Sequence, residues 1–207
     1  MLNEFQRGSE WRRWDLHLHT PGTKKNDRFA GDSLEAKWDK FYEDIASYSG
    51  NGSKGVGDIA VIGITDYLSI DNYMRVVRDD RLPKSVYLVL PNVEMRIHPI
   101  SHKSATNIHF IFNPLIISSL QDRFFGKLSF EDNNTTFSAA RSELIRLGKK
   151  MDSSLSDERA YREGIEQFIP STSDVITLFK GDYELRENTL IFISNSNKDG
   201  VSGITSH

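Results

Sequence analysis

Asp15-Leu16-His17-Leu18-His19-Thr20 places two imidazoles two residues apart in an alternating stretch. In a strand, residues i and i+2 share a face, so His17 and His19 could point at one ion. Asp15 would stand on the same side, as a ligand or as a partner that orients one. The plainer reading is a half-exposed edge strand with incidental histidines. Three more chemically capable residues lie at the end of, or inside, an apolar run. Ile59-Ala60-Val61-Ile62-Gly63-Ile64-Thr65 leads into Asp66, Leu90-Pro91-Asn92-Val93 leads into Glu94, and His109 sits within Asn107-Ile108-His109-Phe110-Ile111-Phe112. In parallel α/β folds, functional groups gather where strands end and loops begin. Asp66 could equally cap the helix that follows, Glu94 could be a solvated acid at a strand end, and His109 a satisfied core histidine. His98 and His102 fall in a polar connection and read as loop residues, and His207 is given no role.

The elements that must position these groups follow from periodicity. Residues 14–19 read as a short strand ended by Pro21-Gly22, and residues 21–34 as a loop. Trp38, Phe41, Tyr42, Ile45 and Tyr48 recur at helical spacing from Leu34 to Tyr48, with Ser33 as the N-cap. Residues 59–65 form a continuous apolar run, the pattern of a strand buried on both faces. A short helix over 70–77 follows, stopped by Leu82-Pro83, and 86–93 and 107–112 are further strands. Helices are expected over 137–150, 156–168 and 172–180, with Ser154 and Ser171 as caps, each with an acid three residues on. Residues 189–194 read as a last strand. Strands alternating with helices predict an α/β fold with a largely parallel sheet, although five strands are few for a closed barrel.

The chain has 207 residues, enough for one good-sized domain, taken here as 1–207. It holds no Cys, which excludes a disulfide scaffold, a thiolate zinc site and a cysteine nucleophile. Lys and Arg total 26 against 29 Asp and Glu, a net charge of −3 that gives no global drive toward nucleic acid. No apolar run is long enough to span a membrane, and the start lacks a signal peptide's apolar stretch, so a cytoplasmic protein without a membrane partner is expected. Locally, Arg141, Arg146, Lys149 and Lys150 give one helix a basic side, and Trp11 and Trp14 flank Arg12-Arg13. Basic residues beside aromatics can hold single strands by stacking and phosphate contact, although Trp14 at a strand start reads as core.

The order His-x-His, strand-Asp, strand-Glu, strand-His resembles the PHP (polymerase and histidinol phosphatase) superfamily of metal-dependent phosphoesterases. Trp11 to Pro21, Ile59 to Tyr67, and Ser194-Asn195-Ser196-Asn197-Lys198-Asp199-Gly200 look like the N-terminal part of PHP-associated, SMC-like AAA ATPases of the TrlF type. The resemblance implies a distorted, TIM-like (β/α)7 barrel, which this chain could leave incomplete at its C-terminus. It implies a metal cluster at the barrel mouth, with His17 and His19 on one metal, Glu94 bridging, His109 at a second position, and Asp66 as a ligand or an orienting group. Glu94, Asp66 and His109 would be the catalytic residues. The activity implied is phosphodiester hydrolysis by metal-activated water, in a nuclease module of an SMC-like ATPase active in phage defence. Nucleic acid would be the substrate, and the downstream ATPase region a partner. Arg12, Arg13, Lys24, Lys25 and Arg96 are candidates for neutralising substrate phosphate. An oligomer is compatible with all of this.

The departures bear on the same site. The family carries a His where Tyr67 stands, and closes its site with Asp-x-His where this chain has Asn195-Ser196-Asn197, with Asp199 two residues on. No His occurs between His109 and His207. One or two divalent ions (Mn, Zn, Mg or Fe) therefore fit the residues better than three. The alternatives are a small-molecule phosphatase and a catalytically degenerate module that serves as a docking or regulatory platform for the ATPase.

Overall fold

The computed structural model describes residues 12–24, 29–49, 58–98 and 105–193. Five strands form one sheet in the order β1-β2-β3-β4-β7: β1 is Arg13–His19, β2 Ile59–Tyr67, β3 Leu88–Ile97, β4 Thr106–Phe112 and β7 Thr189–Ile193. The first three run parallel, whereas β4 is antiparallel to both β3 and β7. The α/β expectation holds, but the sheet is mixed rather than largely parallel. Among the described residues it does not close into a barrel, because β1 and β7 each pair on one side only.

Helix α1 (Leu34–Ser49) buries Trp38, Phe41, Tyr42 and Ile45, and α2 (Asp71–Asp79) buries Tyr73 and Val76. Both lie against Ile59, Ile62 and Ile64 of β2. All nine residues of β2 are buried, which accounts for its unbroken apolar reading. A second core gathers Val93, Met95 and Ile97 of β3 with Ile108, Phe110 and Phe112 of β4. Over it pack the segment 114–128 and helices α3 (Arg141–Met151), α4 (Asp157–Gln167), α5 (Thr172–Gly181) and α6 (Tyr183–Glu187). Phe110, Phe124 and Phe179 form its aromatic centre, with ring centroids 5.2 and 5.5 Å from Phe110.

Several boundaries differ from the sequence expectation. Helix α3 begins at Arg141, because Ser129–Asp132 (β5) and Thr135–Ser138 (β6) make a hairpin. Its two-residue turn, Asn133-Asn134, takes left-handed φ values of 48° and 59°, a conformation asparagine tolerates and tight hairpins require. The cap of α4 is Ser156, whose side chain accepts from the Arg159 N–H, not Ser154. Ser171 caps α5 through a full capping box with Asp174, as its spacing predicts. No helix among the described residues is long and apolar enough to cross a membrane.

One face of β2, β3 and β4 meets the helices. The residues alternating with those core positions are Thr65, Tyr67, Asn92, Glu94, Asn107 and His109, a polar row on the opposite face. Register aligns them: Tyr67 pairs with Glu94 across β2–β3, and Glu94 with His109 across β3–β4. Thr65, Asn92, Glu94 and His109 are nonetheless buried, which in a polar row calls for internal partners.

Candidate metal centre

Irregular pairing of β1 puts its histidines on this polar face. Asp15 pairs with Ile62, but the next regular pair is Leu18 with Ile64, so one extra residue of β1 sits opposite Gly63. A side chain at 63 would collide with the carbonyl oxygen of Leu16, so glycine permits the close approach. The same carbonyl accepts from Asn92 Nδ2 at 2.8 Å, which ties β1 to β3 across β2. The bulge separates Asp15 from the histidines. Asp15 instead lines a cavity with Leu18, Phe41, Asp44 and Ile45 on the α1 side, and its Oδ1 accepts the His17 N–H at 3.2 Å. Simple alternation over 15–19 is therefore corrected: His17 and His19 share a face, and Asp15 does not.

On that face, His17 Nε2 and His19 Nε2 stand 3.1 Å apart, and Glu94 Oε2 lies 3.7 Å from the first and 3.5 Å from the second. The nearest point equidistant from these three atoms, in their own plane, is about 2.0 Å from each, close to a zinc–imidazole bond length. Glu94 is 2% exposed, and its Oε2 is buried without a hydrogen bond. A buried carboxylate oxygen left unbonded between two converging imidazole nitrogens is the donor set of a divalent cation. The residues fit the ion. Among the described residues these three form the one group of three or more such side chains close enough to hold a metal.

Electrostatics favour the ligating protonation states. Burial holds the His19 pKa below its ordinary value, and His17 beside it adds to this, against the opposing pull of Glu94 and the Thr65 backbone. For Glu94, burial pushes the pKa up, but the close approach of His17 and the fields of His109, His17 and His19 outweigh it and keep the carboxyl below the usual range. Neutral imidazoles and an ionised carboxylate are what a metal requires.

His109 stands next to this trio rather than in it. Its ring centroid is 4.6 Å from that of His17, and its Nδ1 is 3.3 Å from Asn92 Oδ1. Asn92 donates from Nδ2 to both Leu16 O and Thr65 Oγ1, so its Oδ1 must be the acceptor toward His109. The proton therefore belongs on His109 Nδ1, which leaves Nε2 as the basic atom of the ring. The sequence alternatives for His109 resolve toward a buried residue that is also part of the polar row.

The other sequence candidates go elsewhere. Asp66 is absent from the trio. Its carboxylate accepts from Asn72 N–H at 3.1 Å and Asn72 Nδ2 at 2.6 Å, so it anchors the first turn of α2. Burial pushes its pKa up to about 7, against the lowering effect of those two bonds. Arg13 begins β1, four residues or roughly 13 Å at strand rise from His17, and Arg12 precedes it, so both lie at the opposite end of the strand from the histidines. Arg13 borders the α1-side cavity and stacks over Tyr48. Arg96 follows Glu94 by two residues, but its guanidinium is held by the Glu166 carbonyl at 2.5 Å and carboxylate at 2.8 Å. Lys24 pairs with Glu158 at 2.7 Å.

The basic side of α3 is likewise paired: Arg141 with Glu158, Arg146 with Glu143, Lys149 with Asp157 and Lys150 with Asp132. Trp14, expected in the core, is 57% exposed. With Leu88, Leu90, Ile111 and Leu190 it lines a trough of about 390 Å³ on the site face. Trp11, Lys25, His102, His207, Asn195, Asn197 and Asp199 lie outside the described residues.

Two residues that sequence reasoning did not assign complete the centre. Tyr67 Oη donates to Glu94 Oε1 at 3.1 Å, and its ring stacks on His19 with centroids 5.7 Å apart. Asn107 Nδ2 donates to the same oxygen at 2.8 Å. Tyr67 stands out in the sequence only as a departure from the family pattern. Asn107 shares a face with His109, two residues away, which is the signal that could have flagged it.

No protein-family model matches the chain, and no curated protein matches it. A solved structure from Bifidobacterium adolescentis, provisionally named a metal-dependent phosphoesterase, aligns over 93% of this chain and 74% of its own, with 12% identity and a TM-score of 0.37. At that level of likeness the site has to be read from its own residues.

Proposed function

We propose that this chain is a metal-dependent phosphoesterase that acts on phosphodiesters, a nuclease module. The observation that carries the reading is the convergence of His17 Nε2, His19 Nε2 and the unbonded Glu94 Oε2 on one point. His17, His19 and Glu94 would hold a divalent cation there, and such an ion would lower the pKa of a water molecule and offset phosphoryl charge. The chain's own residues do the rest. Glu94 stays ionised, His19 stays neutral, and His109 presents a basic Nε2 beside His17, where it can take or return a proton. The half-exposed His17 side chain makes the centre approachable by an extended substrate. Trp14, about three residues along the same strand, offers a flat exposed ring on which a base can stack. Both features support a polymer over a small phosphomonoester.

Membership in a longer SMC-like ATPase, with a role in phage defence, rests on the resemblance of the three segments quoted above. A second reading, a docking module that binds metal without turnover, is favoured by one observation: Arg96 and Lys24, the candidate phosphate partners nearest the strand ends, are committed to Glu166 and Glu158.

The test is cleavage of bis-p-nitrophenyl phosphate, p-nitrophenyl phosphate and single-stranded DNA and RNA by chelator-treated protein reloaded with Mn2+. Diester or nucleic-acid cleavage that disappears in His17→Ala/His19→Ala supports the nuclease reading. Cleavage of the monoester alone supports the phosphatase, and bound metal with no cleavage supports the docking module. Cleavage undiminished in the double variant refutes the assigned site.

A further inference from the structure

The two oxygens of Glu94 have different surroundings. Oε1 accepts from Tyr67 Oη at 3.1 Å and from Asn107 Nδ2 at 2.8 Å, whereas Oε2 has no hydrogen bond and faces the two imidazoles. A carboxylate oxygen offers two lone-pair directions, so Oε1 is saturated. The donors reach it from both neighbouring strands, Tyr67 from β2 and Asn107 from β4, and cross-strand pairing fixes their positions. Tyr67 lies opposite Glu94 in register, and Asn107 lies two residues from His109, the direct partner of Glu94. The Tyr67 ring is further held by stacking on His19 at an interplanar angle of 15°.

Bridging two cations through separate oxygens, the role the family resemblance implies for Glu94, would require Oε1 to give up both donors. A second cation on Oε2 alone would find, among the described residues, no second cluster to complete its coordination. We infer that this chain takes a single divalent cation, with Glu94 a one-oxygen ligand through Oε2, and that Tyr67 and Asn107 are positioning residues that lock its orientation. This rests on the metal-centre reading above. The tyrosine at this place thus has a function: it converts a potentially bridging carboxylate into a terminal ligand. Orienting partners of this kind typically govern metal affinity by roughly 10- to 100-fold.

The experiment is Mn2+ titration of the full chain by calorimetry, with electron paramagnetic resonance of the loaded protein. One equivalent and a six-line, uncoupled Mn2+ signal are expected for the wild type. Tyr67→Phe keeps the ring and removes the donor, and Asn107→Ala removes the other. Each is expected to weaken Mn2+ binding by roughly 10- to 100-fold, while the metal-free far-ultraviolet circular dichroism stays that of the wild type. Two equivalents, or an exchange-coupled signal, in the wild type would overturn the inference and leave the metal-centre reading standing. Affinity within twofold of wild type in both variants would overturn the locking role. No Mn2+ binding by folded wild-type protein would overturn the metal-centre reading itself, and the inference with it.

Discussion

Asp66 separates two accounts of the strand-end carboxylate through the pH dependence of stability. The structure buries it, 3% exposed, with both carboxylate oxygens accepting from Asn72, and its pKa rises from 3.8 to about 7. Between those values the folded chain keeps a proton that the unfolded chain has released. This group's contribution is therefore fully present below pH 3.8 and is lost as the pH rises through about 7. Each pH unit of that window is worth about 1.4 kcal/mol, so the window amounts to roughly 4 kcal/mol, a large part of an ordinary domain's stability. Asp66→Asn abolishes the titration, and its amide oxygen can still accept one of the two Asn72 bonds. Any fixed cost of the substitution is independent of pH. Urea unfolding of both proteins in EDTA from pH 4 to pH 8 should show the wild type losing roughly 4 kcal/mol relative to the variant across that range. The other titrating groups, Glu94 and His19 included, cancel in the difference. A difference that stays level, or that grows in favour of the wild type as pH rises, would refute the assignment. It would mean that Asp66 is ionised in the folded chain throughout, as a carboxylate paired with a cation would be.

Other outcomes follow from the same structure. Gly148→Ala and Gly164→Ala should each destabilise the fold by about 1–3 kcal/mol despite alanine's better helix propensity. A methyl group at 148 would lie 2.6 Å from the Ala160 carbonyl carbon, and one at 164 would lie 2.6 Å from that of Leu144. Both steric conflicts lie at the α3–α4 crossing, so denaturation of the double variant should show a loss smaller than the sum of the single losses, since the first separation relieves the second conflict. Ser171→Ala removes the capping box of α5 and should cost about 1 kcal/mol in a urea titration. Mn2+ binding should raise the melting temperature of the wild type and leave that of His17→Ala/His19→Ala unchanged in a thermal scan. Because burial keeps the His19 pKa below 6.5, binding should persist to lower pH than an ordinary imidazole allows before protonation displaces the ion, as a calorimetric pH series would show.

Much of the site could be read from residue order, and the reason is local. Strand alternation puts His17 and His19 on one side, and Glu94 stands out as an acid directly after an apolar run in a chain that lacks thiolates, although β3 continues past it through buried Met95 to Ile97. The continuous apolar run of β2 and the capping box at Ser171 were equally legible, because burial on both faces and a cap's spacing are properties of a few consecutive residues. Tertiary structure decided the rest. A bulge opposite Gly63 turned Asp15 away from the histidines, and Asp66 turned to α2 because the unpaired N–H groups of that helix start lay within reach. Arg96 found Glu166, 70 residues away, and on the basic side of α3 Arg141, Lys149 and Lys150 paired with acids of neighbouring elements while Arg146 paired with Glu143 of α3 itself. Above all, the sequence determined which ligands exist, and strand register determined how they are used. Tyr67 and Asn107 reach Glu94 Oε1 only because β2 and β4 flank β3 with these residues in line. Cross-strand hydrogen bonds depend on pairing between distant segments, and no local periodicity encodes that pairing.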